Sequence, residues 1–238
     1  MKVFNSIVGA LFPRKCISCG CIIDCNEHLC DYCFEMLERI DLSKICFRCG
    51  MNKKNCLCKS RVYHFGGCVA PFENESVAQA AMYRYKFIRT NGAAKFFAQE
   101  MAKAIATVYN DIEFDGITYV PMHPIKQLKR GFNQSEEIAL ELSKILNLKL
   151  YERLLSSKYK SNSQHSMTLK ERFDNIKGVY KSNYMVTGKT ILLVDDIKTT
   201  GATLDECAKQ LLLAGADNVY CVSGLITVAE KGKSNNGN

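Results

Sequence analysis

Two adjacent carboxylates, Asp195 and Asp196, close an apolar run from Ile191 to Val194, and Thr199, Thr200, Gly201, Ala202 and Thr203 follow close behind them. Such a run reads as a buried strand, and the small residues after it as a turn into a helix that starts near Thr203. Glu206 stands three residues beyond Thr203, the spacing of a capping box. Backbone amides at a helix N-terminus, helped by hydroxyls and by a glycine that permits close approach, make a cradle for a phosphate. Ionised carboxylates accept hydrogen bonds and donate none, so their natural partners are hydroxyls such as the diol of a ribose. Phosphate and diol together specify a sugar phosphate. The sequence has neither a Walker loop nor a dinucleotide-binding glycine turn at a strand-to-helix junction. A capped helix after a buried strand would explain Thr203 and Glu206 but not the paired acids.

A second strand-loop-helix stretch reads VPMHPIKQLKRGFNQSEEIA. Asn133 and Glu136 have capping-box spacing, and Lys126, Lys129 and Arg130 crowd a loop around Gly131. Cations beside a helix N-terminus suit a pyrophosphate; the competing reading is a solvated basic loop.

The third chemistry lies in the cysteines. Of 13, eleven fall before residue 70, and eight are spaced as Cys16-x-x-Cys19, Cys30-x-x-Cys33, Cys46-x-x-Cys49 and Cys56-x-Cys58. The first and third pairs sit in CISCG and CFRCG, a near-repeat thirty residues apart. Closely spaced cysteines on a tight turn aim both sulfurs at one ion, and the following glycine relieves the crowded backbone. Eight ligands make two closed tetrahedral sites. Structural zinc is the favoured occupant, with an iron-sulfur cluster and disulfides as alternatives. Consecutive pairing needs the shorter loops; an interleaved cross-brace is the other arrangement. Cys207 and Cys221 lie in apolar periodic stretches and read as core.

These residues need elements to position them. VYHFGGCVAPF reads as a strand or hairpin, and Ser76 to Tyr109 as two helices broken near Asn91-Gly92. GITYVPM is a short buried strand; Asn133 to Leu146 is a helix with Ile138, Leu142 and Ile145 on one face; TILLV is a buried strand. Thr203 to Leu213 is a helix stopped by Gly215, and NVYCVSGLITV a last strand. Strands alternating with helices imply an α/β fold, a mainly parallel sheet covered on both faces, whose ligands bind beyond the carboxyl ends of the strands. The cysteine density collapses after Lys59, so the expected division is a cysteine-rich zinc module over 1–60, the α/β domain over 61–230 and a disordered tail over 231–238.

The chain's 238 residues, 47% of them hydrophobic, suffice for one sizeable domain and a small appendage. No apolar run reaches the length of a membrane span, and MKVFNSIVGALFPRK is too short and interrupted for a secretory signal. It reads as a cytoplasmic amphipathic helix whose face of Val3, Phe4, Ile7, Val8, Leu11 and Phe12 packs on the protein body, with peripheral contact at the inner membrane face as the rival. The formal net charge is +8. Two zinc ions holding eight thiolates would remove four charges, leaving about +4, so basicity alone is a weak argument for nucleic acid.

The run D-D-x-x-T-T-G-x-T from Asp195 to Thr203 resembles the signature of type I phosphoribosyltransferases, which bind phosphoribosyl pyrophosphate (PRPP). With RGFNQ at Arg130 to Gln134 and the cysteine-paired N-terminus, nearly the whole chain resembles the ComF family of bacterial competence proteins, in which both motifs follow a double zinc ribbon or zinc finger. The resemblance implies a type I phosphoribosyltransferase-like fold. It implies that Asp195 and Asp196 hold the ribose diol, Thr199, Thr200, Gly201, Ala202 and Thr203 the 5′-phosphate, and Lys126, Lys129, Arg130 and Gly131 the pyrophosphate. Tyr85-Lys86 matches a family lysine that follows a tyrosine, placing Lys86 with Arg130 and the acids in the catalytic set; Gln164, Arg172 and Asn175 match a segment like the mobile loop that closes over PRPP. The departures are VPMHP for the usual Pro-x-Pro, and Lys198 where the residue is often apolar. Magnesium would ride on PRPP as the second cofactor beside structural zinc. The implied role is natural competence and DNA uptake, with single-stranded DNA, a competence helicase and DNA-processing proteins as partners and Tyr83, Tyr85 and Phe87 stacking bases. The alternative is a glycosyltransferase of nucleobase salvage that releases pyrophosphate.

Overall fold

The computed structural model describes residues 13–56, 58, 61–157 and 178–228. The expectations for the N-terminal amphipathic face, for Gln164, Arg172 and Asn175, and for the tail fall outside these residues.

Seven strands and six α-helices are described. In chain order they are α1 (Asp31–Glu35), β1 (Gly67–Val69), β2 (Phe72–Glu73), α2 (Ser76–Ile88), α3 (Ala93–Val108), β3 (Gly116–Tyr119), α4 (Pro124–Arg130), α5 (Gln134–Leu146), β4 (Leu155–Ser157), β5 (Tyr180–Ser182), β6 (Thr190–Lys198), α6 (Ala202–Leu213) and β7 (Asn218–Ile226). The main sheet is wholly parallel. Its order is β1-β7-β6-β3, and β2 pairs with β7 further along, so β1 and β2 act as one interrupted edge strand rather than a hairpin. β4 and β5 form a separate antiparallel pair.

Alternation along the central strands divides the interior into two cores. Leu192 and Val194 of β6 and Val222 of β7 face a first core with Met82 and Tyr85 of α2, Phe97 and Met101 of α3, and Ile138 and Leu142 of α5. Ile191 and Leu193 face a second core with Leu204, Cys207 and Leu211 of α6. Ile145, expected on the buried face of α5, is 45% exposed; the last turn packs on the first core through Leu146 instead. Cys207 and Cys221 are buried in the second core as small hydrophobes.

The alternation changes phase at the acids. Ile197 packs on the first core although it lies three residues beyond Val194, and Leu225 does so three beyond Val222. The register stays constant, Asp195 opposite Ser223 and Ile197 opposite Leu225, so both strands kink together. β6 also runs on to Lys198 rather than ending at the acids.

The helix breaks follow their sequence signals. α2 ends in a left-handed Arg89 and α3 begins after Gly92 at φ +84°; Gly215 at φ +89° follows α6. The cysteine-rich segment packs into the body: Cys16, Ile17 and Cys33 join the first core, and Cys49, Met51, Tyr63 and Phe65 the second. No described helix is long and apolar enough to cross a membrane.

Candidate functional site

Asp195 and Asp196 sit in the carboxyl-terminal half of β6, two residues before its end, in the strand flanked by β3 and β7. Asp195 is 8% exposed. Its Oδ1 accepts from the Ser135 hydroxyl at 3.1 Å and from the Asp196 amide at 2.9 Å. Burial, reinforced by the neighbouring Asp196 charge, pushes its carboxyl up to about 7, against the hydrogen bonds and the Lys86 ammonium, which favour ionisation. Asp196 is more open, and its Oδ2 pairs with Lys86 Nζ at 2.7 Å. The tyrosine-lysine match therefore points to a real neighbour of the acids. The two residues divide the work on α2: Lys86 reaches the site, while Tyr85 is 1% exposed and donates its hydroxyl to Glu137 Oε2 at 2.7 Å. Tyr85 thus offers no ring for base stacking. Tyr83 and Phe87, 61% and 62% exposed, do; their rings lie 4.6 Å apart.

Behind the acids, Gly201 adopts φ +80° as the N-cap of α6, and the Thr200 hydroxyl accepts from the Ala202 amide at 3.2 Å. Arg61 Nη1 donates to the Thr200 carbonyl at 3.0 Å, fixing that peptide. The expected capping box does not form. Glu206 is buried and accepts instead from the Gly178 amide and from Gln210 Nε2, both at 3.0 Å, so Thr199 and Thr203 are left outside any reciprocal cap with it.

The basic stretch differs from expectation in being helical. Pro124 starts α4 with His123 as its cap, and Gly131 ends it at φ +85°. Lys126 and Lys129 are exposed. Arg130 donates to Gln134 Oε1 at 2.8 Å and lies over the Phe87 ring at 5.5 Å. α5 then begins with Asn133 accepting from the Ser135 amide, the cap that the sequence predicts. Glu136 does not complete a box, because it accepts from the Tyr119 hydroxyl at 2.8 Å. Sequence reasoning missed two residues here. Ser135 touches both acids, since its oxygen also accepts from the Asp196 amide at 3.1 Å; Gln134 is fully buried with its Nε2 unpaired among the described residues. Their place at the start of α5, whose N-terminus points towards the acids through Ser135, was the available signal.

The eight cysteines gather as the consecutive pairing requires: Cys16, Cys19, Cys30 and Cys33 in one group, Cys46, Cys49, Cys56 and Cys58 in the other, with all sulfurs of a group within 4.8 Å. Sulfur separations are 3.7 Å for Cys19–Cys30, 3.8 Å for Cys46–Cys58 and 3.7 Å for Cys49–Cys56. Four thiolates about 2.3 Å from a central zinc stand about 3.8 Å apart, so the donor sets fit that ion, and the gaps are far too long for disulfides. Each first pair closes on a left-handed glycine, Gly20 at φ +85° and Gly50 at φ +75°. Cys21, exposed, lies 3.4 Å from Cys19 outside the four-cysteine group.

A parallel sheet clad by helices, with paired acids and a threonine-glycine turn at the carboxyl end of its central strand, defines the class: a type I phosphoribosyltransferase-like domain joined to two four-cysteine sites. No protein-family model matches the chain. Among curated relatives, it is similar to DNA utilization protein YhgH of Escherichia coli strain K12, 32% identical over 110 residues, covering 45% of this chain and 48% of that protein. It is similar to Competence protein ComFC of Streptococcus pneumoniae strain R6, 27% identical over 232 residues, or 94% of both chains. The match spans about half the length of YhgH and nearly all of ComFC. These relatives bear out the ComF resemblance read from the motifs. Among solved structures, the chain is similar to a glutamine PRPP amidotransferase from B. subtilis at 20% identity and a TM-score of 0.41, covering 60% of this chain and 30% of that one.

Proposed function

We propose that this chain is a ComF-like, PRPP-binding protein that acts in natural competence, handling incoming single-stranded DNA. The observation that carries the reading is the pair of acids on β6 beside the N-terminus of α6, with Lys86 bound to Asp196. In this reading Asp195 and Asp196 accept from the ribose hydroxyls, and the turn from Thr199 to Thr203 holds the 5′-phosphate on its amides and hydroxyls. Lys126, Lys129 and Arg130 face the pyrophosphate, and magnesium would arrive with the ligand, so few direct protein ligands would be needed. Lys86 occupies the acids until the sugar arrives. If turnover occurs, a nitrogen nucleophile displaces pyrophosphate from the anomeric carbon through a cationic sugar-like transition state, which the two carboxylates stabilise. The competence names of the relatives and the exposed Tyr83–Phe87 pair beside Arg130 support the DNA side of the proposal.

Calorimetry with PRPP and magnesium tests it. Saturable binding is expected for the wild type, and none for the double substitution Asp195→Asn with Asp196→Asn; unchanged affinity in that variant would defeat the assignment. A pyrophosphate-release screen against nucleobases separates a competence protein from a salvage transferase: robust turnover on a free base would favour the latter.

A further inference from the structure

Lys198 is the largest charge in the interior for which the site as described has no use. It is 1% exposed, among the most deeply buried side chains of the chain, and the buried thiol of Cys68 lies within its electrostatic reach. Water-deprived ammonium groups are strongly disfavoured without an anion, so a fold that keeps one in place implies that an anion comes. The position follows from the kink in β6: the phase change at the acids turns Lys198 to the second-core side, opposite Ile226. From there its tip passes beneath the phosphate turn. A Cβ on Gly201 would stand 3.1 Å from Lys198 Cε and 3.7 Å from its Nζ, with Tyr63 at 3.4 Å. Gly201 is the N-cap of α6, so the ammonium lies against the residue that opens the helix.

We propose that Lys198 is a binding residue for the phosphate seated on the turn from Thr199 to Thr203, supplying from below the full positive charge that amides and hydroxyls lack. The ligand class is a sugar 5-phosphate or, at the same point, a free phosphate. The proposal rests on the sugar-phosphate reading of that turn. The groups around Lys198 offer one competing anion. Tyr63 lies between Gly201 and the second cysteine group, in the electrostatic reach of Cys49 and Cys58, and a zinc ion held by four thiolates carries a net double negative charge. Lys198 as a counter-ion to that zinc site is the rival, and the two differ in what an apolar replacement does.

Lys198→Met keeps the length of the side chain and removes the charge. The expected result is an unfolding temperature without ligand equal to or above that of the wild type, two zinc ions retained, and affinity for ribose 5-phosphate weaker by about 10- to 100-fold, the usual worth of one charge-assisted bond. Affinity for inorganic pyrophosphate with magnesium stays the same. Unchanged ribose 5-phosphate affinity, or a lowered unfolding temperature with faster loss of zinc to a chelator, overturns the assignment. Should the Met variant not fold, Lys198→Gln makes the same prediction for ribose 5-phosphate. Wild-type protein that binds neither PRPP nor ribose 5-phosphate overturns the sugar-phosphate reading and this one together; wild type that binds both, beside a Met variant that binds both equally well, overturns only the role of Lys198.

Discussion

Replacing Asp195 by Asn should stabilise the protein at neutral and alkaline pH while destroying the site. The carboxyl is moved from 3.8 to about 7 by burial and by the Asp196 charge. A group whose proton is held more tightly in the folded state favours folding below its ordinary value, and that contribution is lost as the pH rises through the folded value. A shift of about three units corresponds to roughly 4 kcal/mol lost by the wild type between about pH 4 and about pH 8. The asparagine oxygen can still accept from the Ser135 hydroxyl and the Asp196 amide. The new amide hydrogens have no evident acceptor and Lys86 loses one of two nearby charges, so about 2 kcal/mol is the expected net gain at about pH 8. For a chain of this size that is about 4 to 8 °C in the unfolding midpoint. Scanning calorimetry of both proteins across the pH range is the assay. The midpoints should converge at low pH and separate as the pH climbs, with the variant above. A gap independent of pH, or a variant less stable than the wild type at high pH, would refute the argument that burial sets the state of this acid.

Two further outcomes concern the cysteines and the DNA surface. Elemental analysis should give two zinc ions per chain, and a chelator should strip the first site sooner, because Cys19 is exposed while Cys49 is buried against Tyr63 and Phe65 in the second core; fewer than two ions per chain would count against the paired sites. Affinity for single-stranded DNA should fall steeply with salt, and Phe87→Ala, which removes the ring paired with Tyr83 and beneath Arg130, should weaken it by about 1 to 3 kcal/mol; a flat salt profile would speak against contact with the DNA backbone.

Much of this was legible because it depends on local pattern. The runs that became β3, β6 and β7 are apolar on both faces, as strands between two helical layers must be, and Gly92 and Gly215 mark helix ends because left-handed backbone suits glycine. The cysteine groups followed from loop length. What escaped depends on partners distant in sequence. The spacing of Thr203 and Glu206 suggested a cap, but Gly178 and Gln210 compete for Glu206, and the left-handed Gly201 starts the helix without a side-chain cap. The residues from Pro124 to Arg130 looked like a loop because they carry no apolar stripe; their helix stands on the His123 cap and proline at its start, and buries none of its own residues. Tyr85 was indistinguishable from Tyr83 and Phe87 by type, and only the packing of α2 on the sheet sends it inward.

The kink shared by β6 and β7 ties these observations together. In a strand of regular pleat, adjacent acids point to opposite faces, one into each core, and could not serve one ligand. Here the phase changes at that step, in both strands and without a change of register. Asp195 therefore reaches Ser135 at the start of α5 while Asp196 reaches Lys86 on α2. Gly224 makes room for this on β7, since a Cβ there would lie 3.0 Å from both the Asp196 carbonyl and the Met82 terminal methyl. The same change sends Ile197 back to the first core and Lys198 beneath Gly201. One backbone irregularity thus sets Asp195 at the start of α5, Asp196 against Lys86 of α2 and the Lys198 ammonium at the start of α6. The proposed sugar-phosphate ligand, which brings both hydroxyls and a phosphate, would give these charges a common partner.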